Sequence, residues 1–129
     1  MMHDPLSDAL STILNHERNG KPEVMIYPTS KTVIKILKIM QEQGYLGKYE
    51  VVNDAKGGLL KLYLLGNINK CGVIKPRFSI RKSQMQQFEK RFLPARNVGI
   101  IIMTTPKGIM THTEAKKQSQ GGKLLAYVY

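Results

Sequence analysis

Residues 98–111 read Val98-Gly99-Ile100-Ile101-Ile102-Met103-Thr104-Thr105-Pro106-Lys107-Gly108-Ile109-Met110-Thr111. Apart from Gly99, residues 98–103 are an unbroken apolar run rich in β-branched side chains, the pattern of a buried strand. Residues 104–108 bring two threonines, a proline and a glycine together, and a strand-to-helix loop is expected there. Ile109 and Met110 follow. Thr111 then opens a capping box, T-x-x-E, with Glu114, and Met110 and Ala115 form a weak hydrophobic staple around it. The helix so capped is short and ends near Ser119. His112 falls in its first turn, where an exposed histidine is ordinary. The pair Gly121-Gly122 turns the chain into a last strand over residues 124–129.

Upstream of this stretch, residues 73–80 read as extended, with Pro76 confining them to an edge or a bulge. Residues 84–92 suit a short helix, and Pro94 stops its continuation. Residues 67–72 form a junction, which divides the chain into subdomains at 1–66 and 67–129. In the first, Asp4 is an N-cap and Pro5 suits the first helical position. Leu6, Ala9, Leu10, Ile13 and Leu14 then share one face, and Asn19-Gly20 ends the helix. Residues 23–28 form a short strand. Thr29 or Ser30 caps a second helix with Val33, Ile36, Leu37 and Met40 in helical spacing, stopped by Gly44. Residues 49–52 and 59–65 are two strands around a turn at 53–58. The fold class is α+β: an N-terminal α-β-α-β-β subdomain, one sheet covered by two helices, and a mostly β C-terminal subdomain.

At 129 residues the chain buries enough surface to fold without metal or disulfide. The single Cys71 excludes an internal disulfide framework and points to a reducing compartment. No run of about 18 apolar residues exists, so no spanning helix is expected. The opening Met1-Met2-His3-Asp4-Pro5 has no basic start before an apolar stretch, so no secretory signal is expected. Charge is the strongest functional signal. The formal net charge is +11. Residues 1–70 contribute +2 of it and residues 71–129 contribute +9. Such a one-sided excess fits a polyanionic partner, since each Lys or Arg near a phosphate releases condensed counterions.

Nothing in the sequence supports catalysis. His3, His16 and His112 are scattered and share no metal-ligand spacing with Cys71, which reads as a small packed thiol. The glycine pairs 57–58 and 121–122 lack the spacing of a nucleotide-binding loop. No cofactor, metal or small-molecule substrate is expected. Candidate binding residues lie elsewhere. Thr104, Thr105, Pro106, Lys107 and Gly108 offer hydroxyls to bases or sugars and an ammonium to phosphate. Gly121 and Gly122 either let a ligand backbone come close or make a left-handed turn, and Lys123 follows them. Ser30 caps, while Lys31 at a helix start opposes the helix dipole, as a nearby phosphate would reward. Lys75, Arg77, Arg81, Lys82, Lys90, Arg91 and Arg96 are interrupted only by Glu89, which favours phosphate contact over a mixed solvated face. An alternative binding class is a nucleic-acid-binding regulator acting on DNA, since the helix-helix-strand N-terminal half loosely suggests a winged helix. Its basic second helix, with Lys31, Lys35 and Lys38, is mostly committed to the core by Val33, Ile34, Ile36, Leu37 and Ile39. An enzyme acting on RNA needs a paired acid and base or a metal cluster, and neither is visible.

The chain resembles the small-subunit ribosomal protein eight family, archaeal and eukaryotic branch, over essentially its whole length. The similar blocks are Asp4-Pro5-Leu6-Ser7-Asp8-Ala9-Leu10, Pro28-Thr29-Ser30-Lys31 and Gly44-Tyr45-Leu46-Gly47. Further along come Asn69-Lys70-Cys71-Gly72-Val73-Ile74-Lys75-Pro76-Arg77-Phe78 and Leu93-Pro94-Ala95-Arg96. The most specific block is Thr104-Thr105-Pro106-Lys107-Gly108-Ile109-Met110, with Glu114-Ala115 and Gly121-Gly122. The resemblance implies a primary ribosomal-RNA-binding protein, not an enzyme, that binds the central domain of small-subunit RNA and helps assemble the platform. It implies neighbouring small-subunit proteins as partners, a cytoplasmic location and no membrane. It also makes the C-terminal subdomain the main source of RNA contacts. The family's loop has Ser-Thr-Ser where this chain has Thr104-Thr105-Pro106, so the third hydroxyl is absent here.

The charge excess sets the first test. If about six to eight phosphates are neutralised, RNA affinity falls by orders of magnitude between roughly 50 and 200 mM salt, linearly on logarithmic axes. A filter-binding titration measures the slope. A slope near zero would remove the basic half from the binding surface.

Overall fold

A computed structural model describes residues 5–26, 31–52, 59–75, 79–95 and 98–129. The expected cap Asp4, the turn at 53–58, Pro76, and the candidate residues Ser30 and Arg77 lie outside them, as does Arg96. The chain forms two compact units, Met1–Lys70 and Cys71–Tyr129. The fold is α+β.

In the first unit, α1 (Pro5–Arg18), β1 (Glu23–Ile26), α2 (Lys31–Glu42), β2 (Leu46–Val52) and β3 (Leu59–Leu64) follow in order. The strands make an antiparallel sheet ordered β1-β3-β2. The helical stripes are buried as their spacing requires: Leu6, Ala9, Leu10 and Ile13 on α1, and Val33, Ile36, Leu37 and Met40 on α2. Val24, Ile26, Leu60 and Leu62 are the buried strand residues between solvent-facing neighbours. Strand β2 starts three residues earlier than residue 49, because Leu46 already pairs with Leu64 ahead of an irregularity in the register.

The second unit holds β4 (Cys71–Val73), β5 (Ser79–Ile80), a 3-10 turn (Lys82–Gln84), α3 (Met85–Phe92), β6 (Ile100–Thr105), β7 (Gly108–Thr111), α4 (His112–Lys117) and β8 (Gly122–Val128). Strand β8 is the spine of its sheet. It pairs with β6 on one side, and β4 and β5 share its other edge in succession. Of the extended run expected at 73–80, Val73 ends β4 and Ser79 and Ile80 form β5, while residues 76–78 lie outside the described residues. Helices α3 and α4 cover one face, where Met85 and Ala115 join Ile101, Met103 and Leu124 in a core that Phe88, Phe92 and Met110 border.

Three expectations are corrected. Residues 104–108 are not a strand-to-helix loop. Strand β6 runs through Thr105, pairs Thr105 with Gly108, and turns back as β7, leaving Pro106-Lys107 as the tip of a hairpin. The left-handed residue after α4 is Ser119, at φ 57°, not a glycine of the 121–122 pair. Its N–H reaches the Lys116 carbonyl and the Gln120 N–H reaches that of Ala115, the same closing bonds that Gly20 and Gly44 make after α1 and α2. Finally, His112 is buried. The chain leaves the β6 ladder after Thr111 to enter α4, and the His112 Nδ1 takes the Ile101 N–H at 3.0 Å in place of a backbone carbonyl. Thr111 caps α4 by accepting from the Glu114 N–H at 3.2 Å.

The His112 ring is neutral, with its proton on Nε2, 3.4 Å from Glu89 Oε1. Burial, aided by the Lys116 charge and opposed by Glu89, lowers its pKa from the ordinary 6.5. Below that value the unfolded chain takes up a proton that the fold refuses. Stability should therefore drop as pH falls through 6.5 and level off below the folded pKa. Denaturant titrations of wild type and His112→Asn, which keeps an acceptor for Ile101 and does not titrate, test this. The wild type should lose more stability on acidification, and parallel losses would refute it.

Candidate nucleic-acid interface

Directly opposed residues of an antiparallel sheet lie on the same face. Lys123 on β8 opposes Ser79 on β5 and Thr104 on β6, and Thr104 opposes Ile109 on β7. Ser79, Lys123, Thr104 and Ile109 therefore form one row across four strands. Their neighbours Met103 and Leu124 point the other way, into the core beneath α3 and α4. Ser79 and Lys123 are exposed and Thr104 is half-buried. The row ends beside the hairpin tip, where Pro106, Lys107 and Gly108 are exposed.

Adjacent threonines have opposite duties. Thr105 is only 8% exposed. Its hydroxyl donates to the Gly108 carbonyl at 2.9 Å and accepts from the Lys107 N–H at 3.2 Å. Its single proton is committed to the turn, so Thr105 positions Lys107 and is not itself presented to a ligand. Pro106 follows at the second position of the turn, where its fixed φ is favoured. Gly108 closes the turn at φ 121°, a conformation that L side chains rarely adopt.

The glycine pair also serves the sheet. A Cβ on Gly122 would land on the Thr104 carbonyl, and one on Gly121 would lie 2.6 Å from the Ile80 carbonyl oxygen. The close approach expected of a ligand backbone is made here by the protein's own strands. Lys75 is exposed just beyond β4, in the same unit. Lys31 is exposed at the start of α2, in the other unit.

The structure thus brings together Thr104, Thr105, Lys107, Gly108, Gly122 and Lys123, and adds Ser79 and Ile109. Sequence reasoning passed over these last two because their place depends on β5 and β7 pairings that no local pattern announces. Among the described residues, no group of three His, Cys, Asp or Glu is placed to hold a metal ion. No described helix is long and apolar enough to cross a membrane.

The profile of the ribosomal protein S8 family matches residues 4–129. The small ribosomal subunit protein uS8 of Picrophilus torridus is 52% identical over 129 residues, covering 100% of both chains.

Two variants test the division of labour. Thr105→Val keeps the shape and strands the Lys107 N–H and Gly108 carbonyl, so stability should fall by about 1–3 kcal/mol. Gly122→Ala forces β8 away from β6 and should lower the melting temperature further. For both variants the RNA affinity of the folded fraction should change little, so that any loss of binding follows the loss of folded protein. A Thr105→Val protein of wild-type stability that fails to bind RNA would make its hydroxyl a reader after all.

Proposed function

The chain belongs to the ribosomal protein S8 family, and from that premise we propose that it is a primary binder of small-subunit ribosomal RNA. The RNA segment is the central domain, and binding there helps build the platform of the subunit alongside neighbouring small-subunit proteins, in the cytoplasm. The end-to-end match to a uS8 protein carries this reading. The second unit supports it physically, with most of the net charge and a polar row at the end of a rigid sheet.

The division of roles follows from chemistry. Lys107 and Lys123 are flexible point charges and meet phosphates, which orient the protein on RNA without naming a sequence. Thr104 and Ser79 present hydroxyls between them, suited to a ribose or a base edge in an unpaired or distorted segment. Ile109 supplies an apolar flank. Because the row spans four hydrogen-bonded strands, its spacing is set before RNA arrives, which limits the ordering cost of binding. Lys75 extends the basic surface along the β4 and β5 edge. Further proposed contacts are Lys31 and Arg77 to phosphates and Ser30 through its hydroxyl.

The test separates positioning from reading. Lys107→Ala and Lys123→Ala should each weaken binding to cognate RNA and mixed-sequence RNA duplex alike, and each should reduce the salt slope by about one. Thr104→Val should cost about 1–3 kcal/mol on the cognate RNA and spare the duplex. Equal losses on both RNAs for Thr104→Val would leave the row a positioning element. A wild-type protein with no preference for small-subunit RNA would sink the proposal.

A further inference from the structure

Helix α3 has its own surface, which the hairpin row does not use. Met85 is buried, and Phe88 and Phe92 pack toward the core of the second unit. The outer side carries Gln86, Gln87, Lys90 and Arg91, all exposed, and Ser83 precedes them in the 3-10 turn. These five residues line one open depression. The one acid of α3, Glu89, takes no part in it. Its carboxylate is turned toward α4, paired with Lys116 and 3.4 Å from the His112 ring, and its side chain is 14% exposed. Lys116 thus cancels the charge that would repel a polyanion. What remains outward is two cations, two amides and a hydroxyl, with no acid among them. Arg91 lies over the Phe92 ring at 5.5 Å, which restrains its guanidinium.

We infer that the outer face of α3 is a second RNA-contacting surface, which grips the phosphates and riboses of an RNA segment other than the one held by the row on β5, β8 and β6. The inference rests on the RNA-binding reading above and adds a second point of contact to it. The two surfaces face opposite ways. Helix α3 packs on the side of the sheet that holds Met103 and Leu124, whereas Thr104 and Lys123 alternate to the other side. A layer of helix about 10 Å thick stands between them. One RNA strand lying on the row does not also reach Lys90 and Arg91 across it. The chemistry selects RNA over a protein partner. The five residues include no aromatic or large aliphatic side chain to anchor a protein interface. Lys and Arg meet phosphates, while Gln and Ser pair with the ribose 2′-hydroxyl in a shallow groove.

The experiment compares two probes: naked small-subunit RNA, and the shortest hairpin of it whose binding is weakened by Lys123→Ala. The double variant Lys90→Gln/Arg91→Gln keeps helix propensity and removes both charges. It should bind the hairpin within about twofold of wild type, lose about tenfold on the long RNA, and reduce the salt slope there by about two. Backbone footprinting should lose a block of protections outside the hairpin. Gln86→Glu/Gln87→Glu, which leaves the cations in place, should act in the same direction on the long RNA alone. Unchanged affinity for the long RNA would overturn the inference, as would an equal loss on the hairpin. Normal RNA binding with impaired joining of a neighbouring protein would assign the face to that protein instead, and also overturns it. If wild type binds neither probe, the parent reading fails, a distinct result.

Discussion

The second unit depends on how closely β8 lies against β6, and on where their register slips. From Ile100 to Ile102 the strands pair in step with Val128, Tyr127 and Ala126, but Met103 then opposes Leu124. One residue of β8 is skipped. Because side chains alternate with a period of two, that single skip reverses which face the residues of β8 from Leu124 back to Gly122 take. Without it, Leu124 would share a face with Thr104, and Lys123 would turn toward the core. With it, Leu124 is fully buried and Lys123 stands beside Thr104. Gly122 makes the arrangement possible, since any side chain there would collide with the Thr104 carbonyl. The irregularity and the missing Cβ together place the polar row.

The parts of this architecture that could be read from the chain are those with local causes. Leu6, Ala9, Leu10 and Ile13 are buried because their spacing puts them on one side of any helix. Gly20 and Gly44 end helices because left-handed φ is cheap for glycine, and Thr111 caps α4 because its hydroxyl reaches an unpaired N–H. What escaped reading depends on distant partners. Thr104, Thr105 and Gly108 carry loop residues' chemistry, yet β8 supplies a strand for β6 to pair with and the hairpin tightens to two residues. His112 appeared as a surface residue because nothing near it in sequence shows that Ile101 needs an acceptor at that point. Ser119 took the left-handed position because α4 ends at Lys117, four residues before Gly121, and the glycine pair was already committed to its close approach to Ile80 and Thr104.

The candidate site was legible in its charges and blurred in its hydroxyls. Lys123, paired on both sides within the sheet, owes its face to the skip, but Lys107 on the hairpin tip is exposed almost wherever the details fall and survives errors of register. A hydroxyl does not. Thr104 and Thr105 look equivalent in sequence, but alternation sends one to the surface and the other into the turn. Only the hydrogen bonds of Thr105 with Gly108 and Lys107 reveal which is which.

The same bonds explain how the tip accommodates a proline. Pro106 removes a donor, yet it fixes φ near −65°, the value the second turn position requires. Thr105 then binds the N–H of Lys107 and the carbonyl of Gly108 from beneath. The backbone under Lys107 is ordered twice over, by a ring before it and a hydroxyl below. Less chain entropy remains to be lost when the lysine meets a phosphate. On the proposed reading, such a tip offers RNA a contact that does not depend on its sequence. On that reading discrimination falls to Thr104 and Ser79, whose positions are held by the sheet.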